Sequence, residues 1–349
     1  RAASTLRATP TLLENEHLRL SLDALGEIAS LVDKDSGREL AAGPLNAFRM
    51  YKDVPRTCDA WDIDSTYKSL PVELPGKAAV ELVAAGPLVA VLRVRRRLHD
   101  STVTQDISLR SGSRRVDFCT QIDWHEKHKL LKVNFATAIH ANEAIHEIQF
   151  GHLRRPNHQS RPFDADRFEV ANQKWTALAE ENRGVAVLND CKYGVNVEGG
   201  SINLTLLRSP LAPDMQCDQG IQQFTYAFYA WNGSFSESDV VREAYDLNVP
   251  LMVLEGGSGE GGLFQLDAPN VVIETVKPAE DGSGDVVVRL YEAKRSATRC
   301  TLRTSFAGAR VFETNMLEES GRALVAKDGA ISLDFRPFEI KTLRLKLAR

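Results

Sequence analysis

The residues His17-Leu18-Arg19-Leu20-Ser21-Leu22 alternate polar and apolar side chains, and the same two-residue period returns along nearly the whole chain. In an extended backbone successive side chains point to opposite faces, so such a run buries one face and wets the other. Asp23–Gly26 then reads as a turn and Ile28–Val32 as the returning strand. Equivalent runs occupy Val91–Leu98, Lys132–Ala138, Gly184–Leu188, Ser201–Leu207, Val286–Tyr291, Cys300–Thr304, Ile331–Phe335 and Ile340–Leu347. Helical periodicity is scarce. Ser236–Asp239 leading into Val240–Tyr245 is its best case, read as a short capped helix. Many closely spaced strands with few helices predict an all-β chain built of antiparallel sandwiches.

At 349 residues the chain is too long for one ordinary domain. The glycine-rich stretch Gly256–Gly262 supplies the division. It lacks the Lys-Ser/Thr and the evident helix that a phosphate-cradling loop requires, so its composition reads as a linker. A large β domain over 1–260 and a small β-sandwich over 261–349 are therefore expected. With 43 basic against 47 acidic residues, and a net charge of −4, the chain lacks the electrostatic footprint of a nucleic-acid or anionic-membrane binder. No apolar run reaches membrane-spanning length: Val80–Leu92 is interrupted by Glu81, Gly86 and Pro87. Arg1–Pro10 lacks the apolar core of a signal peptide. The cysteines at 58, 119, 191, 217 and 300 are odd in number, scattered and without a CxxC pair. That usage argues against a disulfide framework or zinc site and for a reducing, cytoplasmic setting.

Asp59-Ala60-Trp61-Asp62-Ile63-Asp64 is the densest chemical cluster. Carboxylates accept hydroxyl hydrogen bonds and an indole covers the apolar face of a pyranose, so the residue types suit a sugar. If the segment is extended, Asp62 and Asp64 share one face and Trp61 takes the other. The competing reading is a loop whose aspartates cap turns while Trp61 anchors a core, and residue types alone favour it. Carboxylates two residues apart are poorly placed to flank a scissile glycosidic bond. Trp124-His125-Glu126-Lys127-His128 falls one residue short of a helical zinc motif, and strand positions three apart diverge, so His125 and His128 are read as structural. Gly151–His158, with His152, Arg154, Arg155 and His158, reads as an exposed loop. Arg208 ends an apolar strand before a Pro-bounded loop carrying Asp214 and Asp218. It either pairs with Asp214 or orients an active-site carboxylate. The chain contains no nucleophile elbow, no Walker loop and no Cys/His arrangement with a plausible base.

Taken in order, these pieces resemble the C-terminal region of glycoside hydrolase family 38 α-mannosidases, especially the cytosolic type. The resemblance runs from Leu13-Glu14-Asn15 and Ser30–Lys34 through Asp59–Asp64, Asp123–Glu126 and Glu147–Pro156 with His158. It continues through Phe168–Val170, Trp175, Leu188–Gly194, Leu206–Pro210, Phe224–Tyr226 and Ala244–Pro250, and ends with Glu274–Lys277 and Leu290–Ala293. What it implies is a galactose-mutarotase-like β-sandwich followed by a small one. It also implies an enzyme that removes terminal α-mannose with retention, using zinc or cobalt held on an N-terminal barrel. This chain itself would carry no catalytic residue, no metal and no cofactor. Its partners would be its own N-terminal catalytic domain and a mannose-containing oligosaccharide, with self-association of a chain lacking that domain.

The resemblance further implies a substrate rim of Asp59, Trp61, Asp62, Arg155 and Arg208. One departure stands out: Cys58 replaces an aromatic residue common before Asp-Ala-Trp-Asp. A free-standing carbohydrate-binding sandwich is the alternative. An aldose-epimerase-like enzyme is a third reading, for which His152 or His158 with Glu169 would be the acid–base candidates.

Overall fold

The computed structural model describes residues 5–256, 261–319 and 321–347; residues 257–260 of the predicted linker lie outside them. Strands account for nearly all regular structure, as the two-residue period predicts. The run at His17–Leu22 becomes strand Leu18–Leu22, whose leucines are buried while Arg19 faces solvent. Contacts divide the chain into two compact units: one of 1–147 with 154–250, the other of 148–153 with 251–349.

The first unit holds two large antiparallel sheets. In one, Leu18–Leu22, Ile28–Asp33, Ala41–Lys52, Lys129–Thr137, Ser201–Arg208 and Gly194–Glu198 are successive neighbours. In the other the central order is Trp175–Ala179, Arg183–Asn189, Gly220–Asn232, Arg115–Trp124, Ser101–Arg110 and Val89–Leu98. Their inner faces share one core, in which Phe135 of the first sheet meets Phe118 and Phe228 of the second.

A ring of polar side chains crosses that core. Asn134 pairs with Ala47 and Phe135 with Leu45, so Asn46 is the extra residue of a bulge, with a left-handed φ of 56°. Its side-chain amide donates to Gln105 Oε1 at 2.7 Å, Gln105 Nε2 donates to Tyr226 Oη and Thr120 Oγ1 at 2.8 Å each, and Tyr226 Oη donates to Asn46 Oδ1 at 2.6 Å. Buried polar groups persist only when partnered, and these satisfy one another.

Helix Val240–Asn248 forms where the sequence places it, with Val240, Val241 and Ala244 buried. Its expected cap differs: Asp239 makes no side-chain cap bond, and the reciprocal box belongs instead to Ser234 and Glu237 around a short 3-10 turn. Arg115 ties the helix to the sheet by donating to the Glu243 carboxylate at 2.8 Å and to Asp117 at 2.7 Å.

The second unit is a small sandwich of a four-stranded and a five-stranded sheet around Val288, Leu290, Leu302, Ile331 and Leu343. Buried Glu292 organises one end of it, accepting from Asn270 Nδ2 and from the N–H groups of Lys294, Ser296 and Phe338.

The inter-sheet ring can be tested by breaking it. Gln105→Leu leaves Asn46 and Tyr226 with buried unmet polar groups and should cost about 1–3 kcal/mol in urea unfolding. Asn46→Ala should cost a similar amount, and the double variant less than the sum. Strict additivity would show that the ring is not one unit.

Candidate functional site

Strands Ala41–Lys52, Lys129–Thr137 and Ser201–Arg208 are hydrogen-bonded neighbours, and their register pairs Lys129 with Lys52 and Leu130 with Arg208. Three strand ends therefore meet at one edge of the sheet. The connection leaving Lys52 carries Asp59–Asp64, so this edge is where the sequence cluster must sit. Backbone bonds lash the ends together: Asp53 N–H donates to the His128 carbonyl, His128 N–H to Ser209, and Ser209 N–H to Lys129.

Arg208 then grips the loop. Its Nε donates to the buried Asp53 carboxylate at 2.6 Å, and its Nη2 donates to the carbonyls of Asp62 at 2.6 Å and Asp59 at 3.2 Å. Its partner is thus Asp53; Asp214 instead accepts the N–H of Gln216. Arg208 Nη1 adds a long bond to the Ala60 carbonyl at 3.5 Å, and a guanidinium bonded to a carboxylate and three carbonyls is a brace, with little donor capacity left for a ligand.

Asp59 also turns inward. Its Oδ2 accepts from the N–H groups of Leu211 at 2.8 Å and Ala212 at 3.1 Å and lies 3.1 Å from His128 Nε2. Burial pushes this carboxyl upward, but those two N–H donors and His128 together outweigh it and hold the pKa below 3.8.

The segment is not extended. Cys58 takes a left-handed φ of 56°, and its carbonyl accepts from the N–H groups of both Trp61 and Asp62, at 2.8 and 2.9 Å. The alternation that would set Asp62 opposite Trp61 is therefore replaced by a turn. Trp61 is 76% exposed, which removes the core-anchor reading. Asp62 is exposed as well, with one carboxylate oxygen accepting the N–H of Ile63. Arg155 donates elsewhere, to the Ala171 carbonyl at 3.2 Å.

Beneath the loop lies a buried polar group that the residue patterns did not reveal. Tyr67 donates to Glu169 Oε1 at 3.0 Å, and the buried Lys132 ammonium contacts the same oxygen while donating to Thr205 at 2.7 Å. Burial, reinforced by the Glu169 charge, raises the Tyr67 phenol, and burial lowers Lys132 against the pull of Glu169. Glu169 is thereby committed to a structural anchor. His152 places Nδ1 3.3 Å from the Ala293 carbonyl, and His158 is exposed. These engagements do not make the acid–base pair that an epimerase needs.

His125 and His128 lie in the connection between strands Arg115–Trp124 and Lys129–Thr137, so strand alternation does not set their directions. A left-handed His128, with a φ of 47°, helps send them to different partners, Asp123 at 2.8 Å and Asp59 at 3.1 Å. Ligand atoms do gather within 4.8 Å of one another at His99, Asp100 and Glu126. The Glu126 carboxylate already accepts from Asp100 N–H and Ser101 Oγ and contacts His99 Nδ1, all within 3.0 Å. This donor set is spent on shaping a turn and does not fit a catalytic zinc or cobalt centre. A pocket of about 390 Å³ opens on the outer face of the second sheet. Arg93 is paired there with Asp106 and Gln223 with Gln121, while Asp190 accepts the Thr225 N–H through Oδ2 at 2.8 Å and has its buried Oδ1 without a hydrogen-bond partner among the described residues.

Residues 13–216 match the family described as glycosyl hydrolases family 38 C-terminal domain, and residues 270–343 its C-terminal beta sandwich domain. The chain is 38% identical to human alpha-mannosidase 2C1 over 350 residues, covering 96% of this chain and 33% of that protein. It is 36% identical to alpha-mannosidase G of Dictyostelium discoideum, covering 95% and 32%. It therefore spans about a third of the length of these curated relatives. A crystal structure of an alpha-mannosidase from Enterococcus faecalis V583 superposes with a TM-score of 0.78 at 19% identity, covering 98% of this chain and 43% of that one. That likeness speaks for the fold.

Two measurements separate display from brace. Trp61→Ala should leave urea stability within about 0.5 kcal/mol, because an exposed side chain loses little packing. Arg208→Ala strands the Asp53 carboxylate. Removing one partner of a buried pair costs about 3–5 kcal/mol, and since the guanidinium is 21% exposed, roughly 2–3 kcal/mol is expected. Acid provides an independent check. A depressed carboxyl contributes stability above its unfolded value and loses it as pH falls through the folded one, so the wild-type thermal midpoint should drop below about pH 4. Asp59→Asn should flatten that limb.

Proposed function

Because the chain belongs to glycoside hydrolase family 38 and spans about a third of its curated relatives, we propose that it is the non-catalytic C-terminal β part of an α-mannosidase. In this reading it completes the rim of an active site built on the remainder of the polypeptide. The observation that carries the assignment is Trp61: an indole 76% exposed on a loop braced at Cys58, Asp59 and Arg208. Leaving so large an apolar side chain uncovered forgoes burial energy, and fixing its backbone in advance lowers the ordering cost of meeting a ligand face.

Trp61 covers the apolar face of a mannose unit, and Asp62 accepts a hydroxyl beside it. Asp59 and Arg208 act one step removed, as positioning residues. Arg155 serves at most the outer edge, since its guanidinium goes to the Ala171 carbonyl. The zinc or cobalt of the complete enzyme belongs to the remainder of the polypeptide, where it supplies Lewis-acid chemistry. The partners are that remainder and a mannose-containing oligosaccharide. A chain lacking it self-associates through the surface it would cover. The setting is cytoplasmic, supported by five free cysteines. Among the described residues, no helix is long and apolar enough to cross a membrane.

Activity of the full-length protein tests this reading. Trp61→Ala should lower kcat/KM for α-mannosides by about ten- to a hundredfold, with an unchanged thermal midpoint. The isolated 349-residue chain should release no mannose. Unchanged kinetics in a folded Trp61→Ala enzyme would remove the loop from the site. Sugar binding by the isolated chain, with no hydrolysis by the complete protein, would favour a free-standing binding module.

A further inference from the structure

A second aromatic ring is displayed next to the Trp61 loop. Tyr193 lies just before strand Gly194–Glu198 and is 51% exposed. Its backbone is fixed from below by two buried asparagines. Asn172 donates both its N–H and its side-chain amide to the Tyr193 carbonyl, at 2.9 and 3.1 Å. Asn189 accepts the N–H of Lys192 at 2.7 Å and donates to Asn172 Oδ1 at 3.1 Å. A turn cross-braced this way fixes the backbone from which the half-exposed ring projects. This is the same arrangement of rigid support and open aromatic face found at Trp61.

Tyr193 walls a pocket of about 310 Å³, together with Val170, Ala171, Gly194 and, from the loop side, Ile63 and Arg208. That volume is at the small end of ligand pockets and suits a single ring. The lining is mainly apolar, and Glu169 also borders it. Glu169 Oε1 is committed to Lys132 and Tyr67, whereas Oε2 receives one long contact from Thr205 at 3.3 Å and retains acceptor capacity. An aromatic wall, a small apolar floor and one carboxylate oxygen match what a pyranose offers, an apolar ring face edged with hydroxyl donors.

We propose that Tyr193 and this pocket form a second sugar subsite, which takes the neighbouring residue of an α-linked oligosaccharide whose reacting mannose lies against Trp61. The proposal rests on the functional reading above and adds a preference to it. The enzyme distinguishes chains of two or more sugars from simple glycosides, and Tyr193 sets that discrimination.

Kinetics of the full-length protein on α-linked mannobiose and on methyl α-mannoside test it. Tyr193→Ala should lower kcat/KM for the disaccharide about tenfold while leaving methyl α-mannoside within about twofold, and Tyr193→Phe should retain the disaccharide preference. An equal loss on both substrates, or no loss on either, would overturn the subsite while leaving the α-mannosidase reading intact. Failure of the wild-type protein to hydrolyse either substrate would overturn that reading and the subsite with it.

Discussion

Two apolar sheet faces laid together have no preferred register of their own, because hydrophobic contact is non-directional. In the first unit the ring of Asn46, Gln105, Thr120 and Tyr226 supplies direction, since the two bonds that cross between the sheets, Asn46 to Gln105 and Tyr226 to Asn46, are satisfied only when the sheets stand in one alignment. The bulge at Asn46 aims that amide into the core and belongs to the strand that ends at Lys52, where the Trp61 loop departs. Loop position is thus tied to the core through that strand, and Arg208 holds the loop from a second.

At the sheet edge the work is divided between support and display. Arg208, Asp53 and Asp59 spend their polar atoms on the loop's own backbone and on each other. Trp61 spends little of its surface on the protein, and Tyr193 about half. Charged residues nearest the exposed ring therefore act as scaffold, and a variant that damages them changes the shape of the loop.

The strands were readable in the sequence because period-two patterning is a local property, and the leucines of Leu18–Leu22 fall on the buried face as their spacing requires. The loop was not readable in the same way. Its conformation depends on a left-handed Cys58, a state local patterning does not encode, and on Arg208, which is 155 residues from Asp53 in sequence. An arginine ending one strand and an aspartate just beyond another hinted at such a pair, but choosing Asp53 over Asp214 required the strand order. Family resemblance directed attention to Trp61 and Arg208 without separating display from brace. It covered the stretch containing Tyr193 without marking that residue, whose signal is a lone aromatic following an Asn-Asp turn.

Three of the four tryptophans, Trp124, Trp175 and Trp231, are at most 3% exposed, and Trp61 is the fourth. The chain thereby carries a built-in optical reporter. Buried indoles emit towards the blue and resist collisional quenchers, so the red-edge, iodide-accessible part of the emission belongs to Trp61 alone. Anything that covers the loop carrying that indole registers there without a label.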